Sequence, residues 1–241
     1  MTETVTKAQT GTLYGIGVGP GDPSLLTLKA AGLLGRIAII AYPAPEQGDS
    51  LARSIAAPHL GAVAEEIPLR MRFDPAQRAD AAYDAGAAAI ALHLQAGRDV
   101  AVLCEGDPFF YGSFIYLFAR LAPRFAVEVV PGVSSLTAAA AVAGHPLTTR
   151  DDALVVIPAP RPEADIERLL AGAEAAAIIK LGRHLPKVRR VLERLGLAGQ
   201  AICIERAGQP GQRVCRMDAV DDQGTPYFAI ILVHKRGQAW S

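Results

Sequence analysis

Short apolar runs rich in β-branched residues alternate with helix-like stretches along almost the whole chain. The first run is TLYGIGVG at residues 12–19, a helical pattern begins near Ser24, and the run IAIIAYP follows at residues 37–43. These runs are apolar on both faces, which is typical of strands in a parallel sheet that helices cover on each side. The sequence therefore predicts an α/β fold.

The same alternation continues to the end of the chain. Further strands are predicted at residues 99–104, 127–130, 154–157, 176–180, 201–205 and 228–233. Further helices are predicted at residues 79–96, 112–121, 134–143, 163–170 and 185–195. The polar stretch GHPLTTRDD has no apolar period and is typical of a linker, so we place a domain boundary near Arg150. We expect two α/β domains, residues 1–149 and 150–241, with mostly parallel sheets and a ligand cleft between them.

Charge and cysteine content exclude several classes of function. The 24 basic and 24 acidic residues cancel, so no overall field favours nucleic acid or an anionic membrane. The three cysteines and the histidines lack the spacing of metal ligands, and we expect no metal site. The polar start MTETVTKAQT does not resemble a secretory signal, and the apolar runs are too short to cross a bilayer. We therefore expect a cytoplasmic protein.

Three loops rich in glycine and proline follow predicted strands, at residues 17–23 (loop 1, GVGPGDP), 105–112 (loop 2, EGDPFFYG) and 131–135 (loop 3, PGVSS). Glycines at such positions let backbone amides approach a ligand closely. Loop 1 does not match a dinucleotide fingerprint, because Pro20 stands where glycine or alanine is required and no acidic residue ends the next strand. A nucleotide-binding or non-catalytic ligand-binding α/β module is the alternative from another class.

The segments GVGPGDPSLLTLKA, CEGDPFFYGSFIY, EVVPGVSS and GHPLTTRDD, in this order, resemble the tetrapyrrole (corrin/porphyrin) methylase family over residues 12–233. The resemblance implies a homodimeric methyltransferase that binds S-adenosyl-L-methionine between two α/β domains and acts on a tetrapyrrole. The segments EGDPFFYGS and KLGRH are most similar to members that methylate precorrin-2, or its cobalt form, at C20 in cobalamin biosynthesis. Methylation of uroporphyrinogen III or of another corrin intermediate is the alternative within the family.

The resemblance also assigns cofactor contacts to individual residues. They are Pro20, Glu105, Gly106, Asp107, Phe110, Ser134, Ser135, Leu181 and Ala207. The family often has methionine at the position of Leu181 and glycine at that of Ala207, which would alter the space for adenine. The alternative for Asp107 is that its carboxylate only caps the turn beside Pro108.

Residues for catalysis and for the macrocycle follow from the chemistry of the expected reaction. Asp22 is the candidate for orienting the macrocycle or accepting a proton, with simple helix capping as its alternative. Because arginine binds carboxylates in bidentate fashion, the arginines in loops or at helix ends are candidates for holding the substrate. They are Arg53, Arg70, Arg72 and Arg150.

Overall fold

The computed structural model describes residues 10–71, 80–220 and 225–237. The chain divides into two compact units, residues 1–134 and 135–241. No helix among the described residues is both long enough and apolar enough to cross a membrane.

The first unit contains a five-stranded sheet in which every pair of neighbours is parallel. Its strands are β1 (Leu13–Gly17), β2 (Ile39–Pro45), β3 (Glu65–Met71), β4 (Val100–Cys104) and β5 (Val127–Val130), in the order β3-β2-β4-β1-β5. The prediction of a parallel α/β sheet is confirmed here. Strand β3 was not predicted, because its exposed positions break the apolar run that marks the other strands.

Helices cover both faces of this sheet. They are α1 (Leu28–Leu34), α2 (Leu51–Ala56), α3 (Asp80–Gln95) and α4 (Phe114–Leu121). Helices α1 and α2 pack on one face through Leu33 and Ile55, and α3 and α4 pack on the other through Ile90 and Leu117. Helix α1 begins later than predicted, because the Thr27 hydroxyl accepts the Ala30 N–H and caps the helix there.

The second unit contains a mixed sheet. Its strands are β6 (Leu154–Pro158), β7 (Ala175–Ile179), β8 (Ala201–Glu205), β9 (Arg213–Arg216) and β10 (Ala229–His234), in the order β6-β7-β10-β8-β9. Among these strands only β6 and β7 pair in parallel. The prediction of a mostly parallel sheet is therefore wrong for this unit. Residues 206–212 are too short a connection for a parallel crossover, so β8 and β9 form an antiparallel pair.

The described part of the second unit also contains the α-helices α5 (Ser135–Ala143), α6 (Glu163–Ala171) and α7 (Leu185–Arg194). Helices α6 and α7 pack on one face of the sheet, and α5 packs on the other through Leu136 and Ala139. Because that apolar contact is made with strands of the second unit, the division falls before α5 and not near Arg150.

The stretch at residues 144–152, expected to be a linker, is anchored inside the second unit. Asp152, whose side chain is 2% exposed, lies 3.1 Å from Nε2 of the fully buried His234 and 2.8 Å from the Arg236 guanidinium. The Thr149 N–H also donates to Asp152. These contacts fasten the stretch to the end of β10.

Candidate functional site

Loops 1, 2 and 3 start at one edge of the first sheet. They follow β1, β4 and β5, and β1 lies between the other two strands. Because all three strands are parallel, their carboxyl ends meet at the same edge, where open α/β sheets bind ligands. Gly19 and Gly106 exchange backbone hydrogen bonds of 3.3 and 2.8 Å, which join loop 1 to loop 2. Each loop follows a strand, as the sequence predicted, and the strand order brings the three loops to one edge.

Three glycines bring the loop backbones into direct contact. A Cβ atom on Gly132 would lie 2.1 Å from the Gly106 carbonyl oxygen and 2.8 Å from the Gly17 Cα. A Cβ atom on Gly17 would lie 2.6 Å from the same oxygen and 2.6 Å from the Gly132 Cα. Since the obstructing atoms belong to the backbone, no side-chain rotation relieves either clash. The close approach of the loops therefore requires glycine at both positions.

Asp107 ties loop 2 to loop 3. Its Oδ1 accepts the Phe109 N–H at 2.9 Å, and its Oδ2 accepts the Gly132 N–H at 3.0 Å. The first bond is the turn-capping contact expected as the alternative role of this residue. The second reaches loop 3, which follows β5 on the far side of β1, so the carboxylate also joins loops 2 and 3 at the edge of the sheet.

Two aromatic rings of loop 2 are available to a ligand. Phe110 is 39% exposed and packs edge-to-face on Tyr111, with ring centroids 5.1 Å apart. Tyr111 adopts a left-handed backbone conformation with φ 57°, which is unusual for a residue with a side chain. In contrast, Phe109 packs on Phe118 at 5.1 Å and belongs to the aromatic cluster beside α4.

Glu105 directs its carboxyl group toward α2. Its Oε1 accepts the N–H of Ala52 at 3.2 Å, and Ala52 is fully buried in the first turn of that helix. Burial raises the pKa of the Glu105 carboxyl above its ordinary value. Glu105, which the family resemblance assigns to the cofactor, thus accepts a hydrogen bond from a helix amide in this structure.

Asp22 caps a single helical turn at the end of loop 1. Its Oδ1 accepts the backbone N–H of Ser24 at 2.8 Å and the Ser24 hydroxyl at 2.7 Å. The bond from the Ser24 hydroxyl, and after it the bond from the Ser24 N–H, lowers the pKa of the Asp22 carboxyl. A lowered pKa makes Asp22 a weaker proton acceptor, and the observed geometry is that of the capping alternative.

Arg53 and Arg70 line one groove of about 470 Å³ beside β2, β3 and α2. Arg53 forms a bidentate contact with Glu66, with nitrogen–oxygen distances of 3.0 to 3.2 Å. The Tyr42 hydroxyl donates to the same carboxylate. The Arg53 contact and then the Tyr42 bond lower the pKa of Glu66. Burial, followed by the bond to Glu66, raises the pKa of Tyr42 to about 12.

Arg70 differs from Arg53 in its surroundings. Its guanidinium donates to the backbone carbonyl of Pro45 at 3.1 Å and lies 3.5 Å from that of Glu46. Within the described parts of the chain it forms no ion pair. The sequence did not identify Tyr42 or Glu66, although both lie on the face of β2 and β3 that Arg70 shares. Strand register, had β3 been recognised, would have placed them together.

The other candidate residues lie as follows. Pro20 is buried in loop 1, Ser134 ends the first unit, and Ser135 begins α5. Leu181, fully buried, and Ala207, 7% exposed, belong to apolar clusters of the second unit. Arg150 is exposed in that unit with φ 49°, and Arg72 lies outside the described residues.

Residues 12–220 match the sequence profile of the tetrapyrrole (corrin/porphyrin) methylases. Cobalamin biosynthesis protein CobIJ of Mycobacterium tuberculosis is 43% identical over 232 residues, which cover 92% of this chain but only 46% of CobIJ. Precorrin-2 C(20)-methyltransferase of a Sinorhizobium species is 42% identical over 232 residues, which cover 92% of this chain and 95% of that protein.

The fold is also that of a solved relative. Uroporphyrin-III C-methyltransferase from Thermus thermophilus, in complex with S-adenyl homocysteine, superimposes with a TM-score of 0.67 at 26% identity. The match covers 93% of this chain and 92% of that structure.

Proposed function

The chain belongs to the tetrapyrrole (corrin/porphyrin) methylase family, and on that premise we propose that it transfers a methyl group from S-adenosyl-L-methionine to C20 of precorrin-2, or of its cobalt form. The product is precorrin-3A or its cobalt counterpart, an intermediate of cobalamin biosynthesis. The observation that carries the proposal is the 42% identity to a precorrin-2 C(20)-methyltransferase, which extends over nearly the full length of both chains.

The first unit supplies groups that suit this cofactor. Loop amides and the Asp107 carboxylate lie at one edge of the sheet, where they can bind the polar parts of the cofactor. The exposed Phe110 ring offers a surface for its adenine. The cofactor supplies a methyl group activated on a sulfonium. The residues that we propose to hold it are Pro20, Gly106, Asp107, Phe110 and Ser134 of the first unit and Ser135, Leu181 and Ala207 of the second. The resemblance also assigns Glu105 to the cofactor, but its carboxyl group accepts the Ala52 N–H, and we propose another role for it below.

Methyl transfer from a sulfonium to carbon is an in-line displacement, so the protein contributes chiefly by orienting the reactants and excluding water. A strong general base is not required for the transfer itself. Because hydrogen bonds lower the pKa of Asp22, we propose that it orients the macrocycle and does not take the proton released later.

The carboxylates of the macrocycle suit the groove of the first unit. Arg70 presents a guanidinium without a carboxylate partner among the described residues, and the Tyr42 hydroxyl and Arg53 lie on the same groove wall. We therefore propose Arg70 as the main carboxylate ligand there, with Arg53 held in place by Glu66. Arg72 and Arg150 remain proposed as further ligands.

Product masses from anaerobic incubations test the proposal. Purified protein with S-adenosyl-L-methionine is supplied in parallel with precorrin-2, cobalt-precorrin-2 and uroporphyrinogen III. One added methyl group on either precorrin-2 form is the expected result, and it also identifies the preferred form. Two methyl groups on uroporphyrinogen III, or no transfer to any of the three, would contradict it.

We further propose that the protein is cytoplasmic and that it forms a homodimer; the homodimer rests on the family resemblance. Sedimentation equilibrium distinguishes a dimer from a monomer of 25.3 kDa. A monomer at micromolar concentration would refute the dimer.

A further inference from the structure

We propose that Glu105 acts as a positioning residue for the substrate groove, because it fixes the start of α2 and thereby the place of Arg53. The proposal deepens the function proposed above and rests on it for the identity of the ligand. It gives Glu105 a role different from direct contact with the cofactor.

The contact that carries the proposal joins two neighbouring strands' carboxyl ends. Glu105 follows β4 directly, and α2 follows β2, which pairs with β4. The Glu105 Oε1 accepts the Ala52 N–H at 3.2 Å. Because the first amides of a helix have no partner inside the helix, this carboxyl group satisfies a donor that burial of Ala52 hides from water.

The start of α2 is held at a second point by Ser50. Its hydroxyl donates to the Pro43 carbonyl at 2.6 Å and accepts the Arg53 N–H at 3.3 Å. Ser50 thus attaches the helix to β2, and Glu105 attaches it to β4. Together the two residues fix the first turn of α2 against the ends of both strands.

The side chains that α2 sends into the groove depend on that position. Arg53, Ser50 and Ser54 all line it. The Arg53 contact with Glu66 needs two nitrogen–oxygen distances of 3.0 to 3.2 Å at once. Bidentate geometry of this kind tolerates little displacement, so release of Ala52 is expected to disorder the Arg53 guanidinium.

Glu105 also belongs to loop 2, which carries Asp107 and Phe110. A direct cofactor contact predicts that loss of the carboxyl group weakens cofactor affinity. A positioning role predicts that it weakens affinity for the polycarboxylated macrocycle and leaves cofactor affinity intact. The two roles are therefore separable in one experiment.

The test compares Glu105→Ala with Glu105→Gln in the full-length chain. Glutamine keeps an oxygen that can accept the Ala52 N–H, whereas alanine leaves that buried donor without a partner. Glu128→Ala is the matched control, since Glu128 is an exposed carboxylate on β5 that pairs with Lys29. Binding of uroporphyrin III, a stable and fluorescent tetrapyrrole with carboxylate side chains, is measured by quenching, and binding of S-adenosyl-L-methionine by calorimetry.

We expect Glu105→Ala to weaken uroporphyrin III binding about tenfold and to change cofactor affinity less than about twofold. Glu105→Gln and Glu128→Ala should both bind as the wild type does. Arg53→Ala should also weaken uroporphyrin III binding, and adding Glu105→Ala to it should cost little more, because both act through one side chain.

Several results would overturn the proposal. These are weaker cofactor binding with unchanged uroporphyrin III binding, equal losses in the alanine and glutamine variants, fully additive losses with Arg53→Ala, and no binding of uroporphyrin III by the wild type. Failure of the proposed function looks different. In that case the pattern of uroporphyrin III binding is as expected, but the wild type transfers no methyl group to either form of precorrin-2.

Discussion

Replacing Gly132 by alanine tests whether the contact between the three loops needs a bare backbone. The new Cβ would lie 2.1 Å from the Gly106 carbonyl oxygen, whereas carbon and oxygen normally approach to about 3.3 Å. Loop 3 must therefore move by roughly 1 Å, and that movement breaks the bond between the Gly132 N–H and Asp107. Forced packing costs about 1–3 kcal/mol, and a lost bond to a carboxylate about 1.5–3 kcal/mol.

We therefore expect Gly132→Ala to lower the free energy of unfolding by about 3–5 kcal/mol. In a chain of this size that corresponds to a fall in Tm of about 2–4 °C for each kcal/mol. Affinity for S-adenosyl-L-methionine should fall as well, because the displaced loops carry the proposed contacts. Denaturant unfolding and calorimetry measure the two effects.

Gly32→Ala provides the control for the same chemical change. Gly32 is exposed within α1, and a Cβ there would meet no atom within 4 Å. Alanine in a helix is favoured over glycine, so this variant should gain about 0.5–1 kcal/mol and bind the cofactor normally. If the two variants were equally stable, or if Gly132→Ala kept full cofactor affinity, the reasoning about the loop contact would be wrong.

Three further predictions concern the core, a hydrogen-bonded phenol and a hydrogen-bonded carboxylate. Phe114→Ala, at a side chain 1% exposed, should cost about 3–5 kcal/mol in denaturant unfolding, and a loss below about 1 kcal/mol would contradict its place in the core. The difference in phenolate absorbance between the wild type and Tyr42→Phe should titrate near pH 12. The protonated Tyr42 contributes its full stabilisation below its unfolded pKa of about 10, and this contribution should be lost as pH rises through 12. A titration midpoint near 10 would refute the effect of burial and Glu66 on the pKa. Asp152→Asn should lower the free energy of unfolding at neutral pH, because hydrogen bonds from Thr149 and His234 lower the pKa of Asp152. The difference from the wild type should disappear as pH falls below about 4, where the wild type loses that contribution. No difference at pH 7 would count against the network.

The parallel sheet of the first unit was predictable because its signal is local. Runs such as IAIIAYP are apolar on both faces and show the burial of a strand without knowledge of its neighbours. The glycine-rich loops were predictable for the same reason, since glycine and proline after a strand limit the backbone directly. Family resemblance then added the cofactor and the substrate, which no periodicity contains.

The second sheet was only partly predictable. The positions of β7, β8 and β10 follow from their apolar runs, but their directions depend on which strand lies beside which. Strand β9 is largely exposed at the edge and carries two arginines, so it has no apolar signal. The division between the units also required the structure, because α5 has too weak a pattern to show which sheet it covers.

The sequence by itself determined the fold class, the loops that carry the candidate site and the family, since each depends on residues close together in the chain. Only the tertiary structure decided that Gly17, Gly106 and Gly132 touch, and that the Glu105 carboxyl meets α2. It also placed Arg53 and Arg70 in one groove with Tyr42 and Glu66. Those contacts join residues far apart in sequence, and strand order and register, which arise from packing of the whole unit, bring them together.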